Sequence, residues 1–152
     1  EWTGGSITGA LGDGATVSAG TGDFDGLVIA SPGGAGYSVS GGGLLIAGGS
    51  VTGAGTDGVL AEGGVLTAFG LTVESSTGDG VLLQGVAVAS VLDATLSDNG
   101  GFGLTCDGGL ADPLVSTVAL SACEAEVDGN VEGEFDLVNG CELSAACVAL
   151  LP

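Results

Sequence analysis

No Lys, Arg or His occurs in the 152 residues, whereas Asp and Glu number 19, so the formal charge is −19. Side-chain nitrogen is confined to Trp2, Gln84, Asn99, Asn130 and Asn139. These absences exclude whole classes of partner. Nucleic acid, anionic membrane surfaces and phosphate-bearing ligands are bound through Lys and Arg, which neutralise phosphates and release counterions. A chain with neither is repelled by all three. No run approaches the roughly 20 apolar residues of a membrane helix, so membrane insertion is not expected. No basic segment precedes an apolar stretch, so no signal peptide is visible.

The same gaps narrow the chemistry. Without His there is no imidazole base, without Lys no Schiff base, and without Arg no guanidinium clamp. Carboxylates, hydroxyls and four thiols remain. Two carboxylates can serve a glycosidase, but no catalytic residue is assigned and the chain is not expected to be an enzyme. Aromatic residues make up 4% and glycines number 33, which argues against a core of large side chains. A hydrophobic content of 45% argues against disorder.

What is present is a period. Gly36, Gly58, Gly80 and Gly103 recur at steps of 22, 22 and 23, followed by Tyr37, Val59, Val81 and Leu104. A fixed period in this range marks one supersecondary unit stacked on copies of itself. The unit reads as three short strands joined by glycine turns. In one strand Val59 and Ala61, Val81 and Leu83, and Leu104 and Cys106 alternate with Leu60 and Glu62, Leu82 and Gln84, and Thr105 and Asp107. Such alternation predicts a surface buried on one side. In another, Ile29, Val51, Val73 and Leu96 point inward between outward Ser and Thr, with Ser50, Thr72 and Thr95 in one file and Thr52 and Ser97 in the next. Glu74 interrupts the second file and Ala119 and Ser121 continue it poorly, so β-branched Thr favoured on a strand surface is the plainer reading.

Asp13, Asp57 and Asp79 precede glycines on one regular grid whose missing rung is Ala35, and Asp98-Asn99-Gly100-Gly101 forms a version one residue longer. The glycine after each Asp is expected to supply the positive φ of a sharp corner, with Asp accepting backbone N–H bonds. At these residues the chain resembles the right-handed parallel β-helix proteins of the pectin-lyase-like superfamily, over about Gly14 to Cys106. The resemblance implies an all-β, right-handed parallel β-helix, a β-solenoid with coils of about 22 residues, one period to each coil. Lyases of that superfamily use Arg or Lys as base, and its polygalacturonases combine Asp clusters with His, Arg and Lys. This chain has no residue of those basic types, so the resemblance implies a non-catalytic member.

One domain over residues 1–152 is expected, with regular coils over 13–106 and irregular coils or a cap over 107–152. The cysteines Cys106, Cys123, Cys141 and Cys147 mark this end, with the acids Glu124, Glu126, Asp128, Glu132, Glu134, Asp136 and Glu142. Terminal units of stacked repeats cover the last apolar layer, and disulfides would staple such a cap in an oxidising, extracellular compartment. Three pairings are open, with Cys141–Cys147 and Cys106–Cys123 favoured. No cofactor is required, but calcium is a candidate. Asp128, Asn130 and Glu132 space oxygen donors as at the start of a calcium loop, and Asp57 and Asp79 stack two carboxylates. Solvated turn residues are the plainer reading of both.

The ends suggest self-association. No amphipathic helix precedes the first coil, and the sequence closes on Val148-Ala149-Leu150-Leu151-Pro152. Open coil faces present unpaired backbone and apolar side chains, so head-to-tail contacts would build filaments. Trp2, Ile7, Val148, Leu150 and Leu151 are the expected junction residues. The sequence thus points to an extracellular, secreted or cell-surface structural protein stacked end to end or forming an adhesive layer, in contact with a cell surface or polysaccharide. An ice-binding or calcium-dependent carbohydrate-binding solenoid is the alternative.

Overall fold

A computed structural model of the chain describes residues 1–86, 88–107, 118–121, 126–138 and 141–143. Every regular element among them is a strand, and every pairing is parallel. Sheet A stacks β1 (Trp2–Thr3), β4 (Thr21–Asp25), β7 (Gly43–Ala47), β10 (Val65–Phe69), β13 (Val88–Leu92), β16 (Val118–Ser121) and β19 (Cys141–Leu143). Sheet B stacks β2 (Ser6–Thr8), β5 (Val28–Ala30), β8 (Ser50–Thr52), β11 (Thr72–Glu74), β14 (Thr95–Ser97) and β17 (Glu126–Asp128). Sheet C stacks β3 (Ala15–Val17), β6 (Tyr37–Val39), β9 (Val59–Glu62), β12 (Val81–Gln84), β15 (Phe102–Asp107) and β18 (Gly133–Val138). The chain visits the sheets in the order A, B, C and repeats, which makes it a parallel β-solenoid with coils of about 22 residues.

Register follows the period. Val59 pairs with Val81 and Val51 with Val73, each one period on, while Val73 pairs with Leu96 across the coil that is longer by one. Residues one coil apart therefore sit about 4.8 Å apart on a hydrogen-bonded ladder. Alternation turns every second side chain inward. Ile29, Val51, Val73 and Leu96 are fully buried from sheet B, as are Tyr37, Val59, Val81 and Leu104 from sheet C. Full burial of each such side chain is worth roughly 1.5–3 kcal/mol, and the repeat multiplies it. Tyr37, a fully buried aromatic, meets Phe24 edge-on at 5.6 Å between ring centroids.

The corners are left-handed, and their columns explain where glycine is used. After sheet A the corner falls on Gly4, Gly26, Gly48, Gly70 and Asp93, at φ 66°, 65°, 67°, 65° and 49°. After sheet B it falls on Gly9, Ser31, Gly53, Ser75 and Asp98, at φ 64°, 51°, 66°, 58° and 55°. Glycines after the grid aspartates are different: Gly14, Gly58 and Gly80 do not have positive φ. The expectation that they supply a left-handed corner is corrected; they are small because neighbours crowd them. A Cβ on Gly58 would meet the Gly80 carbonyl oxygen at 2.5 Å and also strike Val73.

From 107 onward the departure from the period is a change of coil length. β14 pairs with β17, and β15 with β18, at a longer offset than any earlier pair, because the connection from β15 to β16 is longer than that from β12 to β13. This corrects one expectation. Ala119 and Ser121 do not continue the Ser/Thr files of sheet B: they belong to sheet A, where Ser121 pairs with Ser90, and Glu126 and Asp128 take the register positions above Thr95 and Ser97.

Candidate functional site

Three surfaces could carry function: the aspartate grid at the B-to-C corner, the outward side of sheet B, and the outward side of sheet A.

On the grid, each carboxylate reaches one coil onward. Asp13 Oδ1 accepts the Ala35 N–H at 2.9 Å, Asp57 Oδ1 the Asp79 N–H at 2.8 Å, and Asp79 Oδ1 the Phe102 N–H at 2.8 Å. A glycine faces each carboxylate. A Cβ on Gly34, Gly78 or Gly101 would strike the oxygen of Asp13, Asp57 or Asp79 respectively. At the missing rung Ala35 stands for Asp, and the position that would face it holds Thr56, so carboxylate and glycine are absent together. Burial, with the charge of Asp79 beside it, raises the Asp57 carboxyl above the usual carboxylate range, against the N–H bond from Asp79 that lowers it. The grid is a set of inter-coil clamps, each with an oxygen already holding an N–H.

One step around the corner the clamp becomes an amide. Asn99 is fully buried and its Oδ1 accepts the Ser76 N–H at 3.0 Å. Asn130 Oδ1 in turn accepts both the Asn99 N–H at 3.0 Å and the Asn99 side-chain N–H at 2.9 Å, and its Nδ2 donates to the Leu96 carbonyl at 3.0 Å. The Asn130 oxygen named as a calcium donor thus already accepts two bonds, and Glu132 is exposed beside it. Asp128 lies on β17. Among the described residues no three or more Cys, Asp or Glu side chains are grouped to hold a metal ion.

On sheet B the outward files run Ser6, Val28, Ser50, Thr72, Thr95 and Thr8, Ala30, Thr52, Glu74, Ser97. Val28, Ala30 and Glu74 interrupt them, so no continuous rank of hydroxyls forms. At the first coil Trp2 pairs with Phe24 and Ile7 with Ile29, which places both in inward columns. Ile7 packs against the core, whereas Trp2 stays 51% exposed, with its indole N–H donating to the Gly4 carbonyl. Val148, Leu150, Leu151, Cys123 and Cys147 lie outside the described residues; Cys106 is buried on β15, and Cys141 opens β19.

Sheet A carries a feature that the sequence pattern does not reveal. Leu45, Val65, Phe69 and Val88 point outward and are exposed, with half-buried Ala47, Thr67, Ser90 and Leu92 between them. Both phases of Gly43-Leu44-Leu45-Ile46-Ala47 and Val65-Leu66-Thr67-Ala68-Phe69 are largely apolar, so alternation does not distinguish the inside set from the outside set.

No family model, curated protein or solved structure matches the chain.

Proposed function

We propose that this protein is an extracellular, non-enzymatic structural or surface element, a β-helix of the pectin-lyase-like kind whose coils stack on those of further copies to build a filament or surface layer. The observation that carries this reading is the unbroken register of the stack, in which each strand lies on its counterpart one coil away. Among the described residues β1, β2 and β3 each have a single neighbour in their sheets, and Trp2 and Ile7 occupy the columns that Phe24 and Ile29 fill one coil further in. A coil of another copy laid on these strands in the same register would pair with them and cover the Trp2 ring. The four cysteines favour an oxidising compartment, and the absence of Lys and Arg leaves no trypsin site.

The charge of −19 opposes stacking, so assembly should strengthen as salt screens it. Negative-stain microscopy across a series of ionic strengths provides the test. Filaments lengthening with salt are expected, and Trp2→Ser should shorten them. Single particles at every salt and protein concentration would remove the filament reading. Added calcium is expected to raise the melting temperature if any carboxylate pair binds it, through mass action on the native state.

A further inference from the structure

The outward side of sheet A is an apolar surface within an acidic molecule. Val65 pairs with Val88, Thr67 with Leu45 and with Ser90, and Phe69 with Ala47 and with Leu92, so these side chains form one continuous patch across β7, β10 and β13. Acids surround it. In the coil on one side Asp23 pairs with Leu45 and Asp25 with Ala47. Exposed Glu62 precedes β10 and exposed Asp93 follows β13.

We infer that this face docks a cationic amphipathic helix of a partner protein, with its apolar stripe on Leu45, Val65, Phe69 and Val88 and its Lys or Arg residues over Asp23, Asp25, Glu62 and Asp93. Two arguments select that occupant. First, the charged groups at the rim are all acidic and the chain has no Lys, Arg or His, so a second copy laid face to face would oppose carboxylates with nothing to pair them. The cations must come from elsewhere. Second, three strands of five residues span about 13 Å by about 10 Å, far below the roughly 800 Å² per partner of a stable globular interface. A single helix, about 10 Å across, covers it. This inference goes beyond end-to-end stacking and uses none of its residues.

The test titrates the whole chain with a synthetic helix carrying Leu at positions i, i+3, i+4 and i+7 and Lys elsewhere, followed by calorimetry. Saturation at one peptide per chain is expected, weakening as salt rises. Phe69→Ser with Val88→Ser should weaken binding by about tenfold or more, as for a central apolar contact. Both side chains face outward, so circular dichroism and melting should match the parent; if the pair unfolds the chain, Phe69→Ser alone carries the same test. Val28→Ser, at an exposed apolar position on sheet B, should leave affinity unchanged. Equal binding of a peptide of the same composition in scrambled order would overturn the proposal, because it would mean simple attraction of a polycation to a polyanion. So would a sheet A variant that binds as well as the parent. Dimers of the free chain, or its adsorption to neutral phosphatidylcholine vesicles, lost in the sheet A variant would also overturn it, by naming a different occupant.

Discussion

Gly58 and Gly70 are glycines for unrelated reasons, and substitution should separate them. Gly70 sits at φ 65°, and a Cβ added there would have its nearest neighbour atoms at 3.8 Å, so Gly70→Ala meets only the left-handed backbone penalty. About 1–2 kcal/mol is the expected loss. Gly58 has an ordinary φ but lies against the Gly80 carbonyl and Val73, and a backbone oxygen that already accepts the Val59 N–H cannot step aside. Gly58→Ala should therefore lose about 3 kcal/mol, the upper end of overpacking. Urea unfolding of both variants checks the order; a larger loss at Gly70 would refute the crowding account. The grid aspartates follow the same logic, since each carboxylate fits only where the facing residue is glycine.

Strands here act as members of a column more than as individuals. β9, β12 and β15 share one register, and each coil touches only its neighbours, so a whole coil should be removable where a part of one is not. Deleting Val59 to Gly80 joins Gly58 to Val81 in unchanged register and leaves Asp57 facing Gly101 and the Phe102 N–H, the partners Asp79 has now. The shortened chain is expected to keep its strand-type circular dichroism and to melt at a lower temperature by one coil's contribution. Deleting Val59 to Phe69, half a coil, should abolish cooperative melting, because residues of sheet B would then be delivered to sheet C. Cooperative folding of the half-coil deletion would contradict the column picture. β16 illustrates the same principle: lengthening a single coil moves Ala119 and Ser121 from sheet B, which their sequence pattern suggests, back to the preceding sheet A.

For the whole molecule, charge is the dominant fact. With −19 and no internal cation, the native state gathers carboxylates that the unfolded chain would spread out, so stability should rise with salt. Asp57 sharpens the pH dependence. Its carboxyl holds a proton more tightly when folded than when unfolded, so in the window above the ordinary carboxylate value the native state binds more protons. The free energy of unfolding then falls as pH rises through that window, and the native state gains on acidification. Melting at low ionic strength is expected to be higher at about pH 5 than at about pH 7. Asp57→Asn keeps an oxygen for the Asp79 N–H and removes the charge, so it should melt at least as high as the parent at neutral pH and respond less to acid. A parent that melts lower at the acidic value, or an unchanged pH response in the variant, would count against this account.

The repeat spacing and the inward columns of sheets B and C were legible from sequence alone, because Val, Leu and Ile alternate with Ser, Thr and Glu in sheet B, and the polar Glu62, Gln84 and Asp107 recur one position after the inward Ala61, Leu83 and Cys106 in sheet C. Only the folded chain decided the rest. Whether Leu45 or Leu44 faces water depends on which side of sheet A the other two sheets cover. Whether a glycine serves φ or space depends on the atoms of the next coil, and whether Asp57 is a ligand or a clamp depends on an N–H one coil away. Pattern along the chain records which residues recur; what they meet is set across the ladder, between residues that the linear order keeps apart.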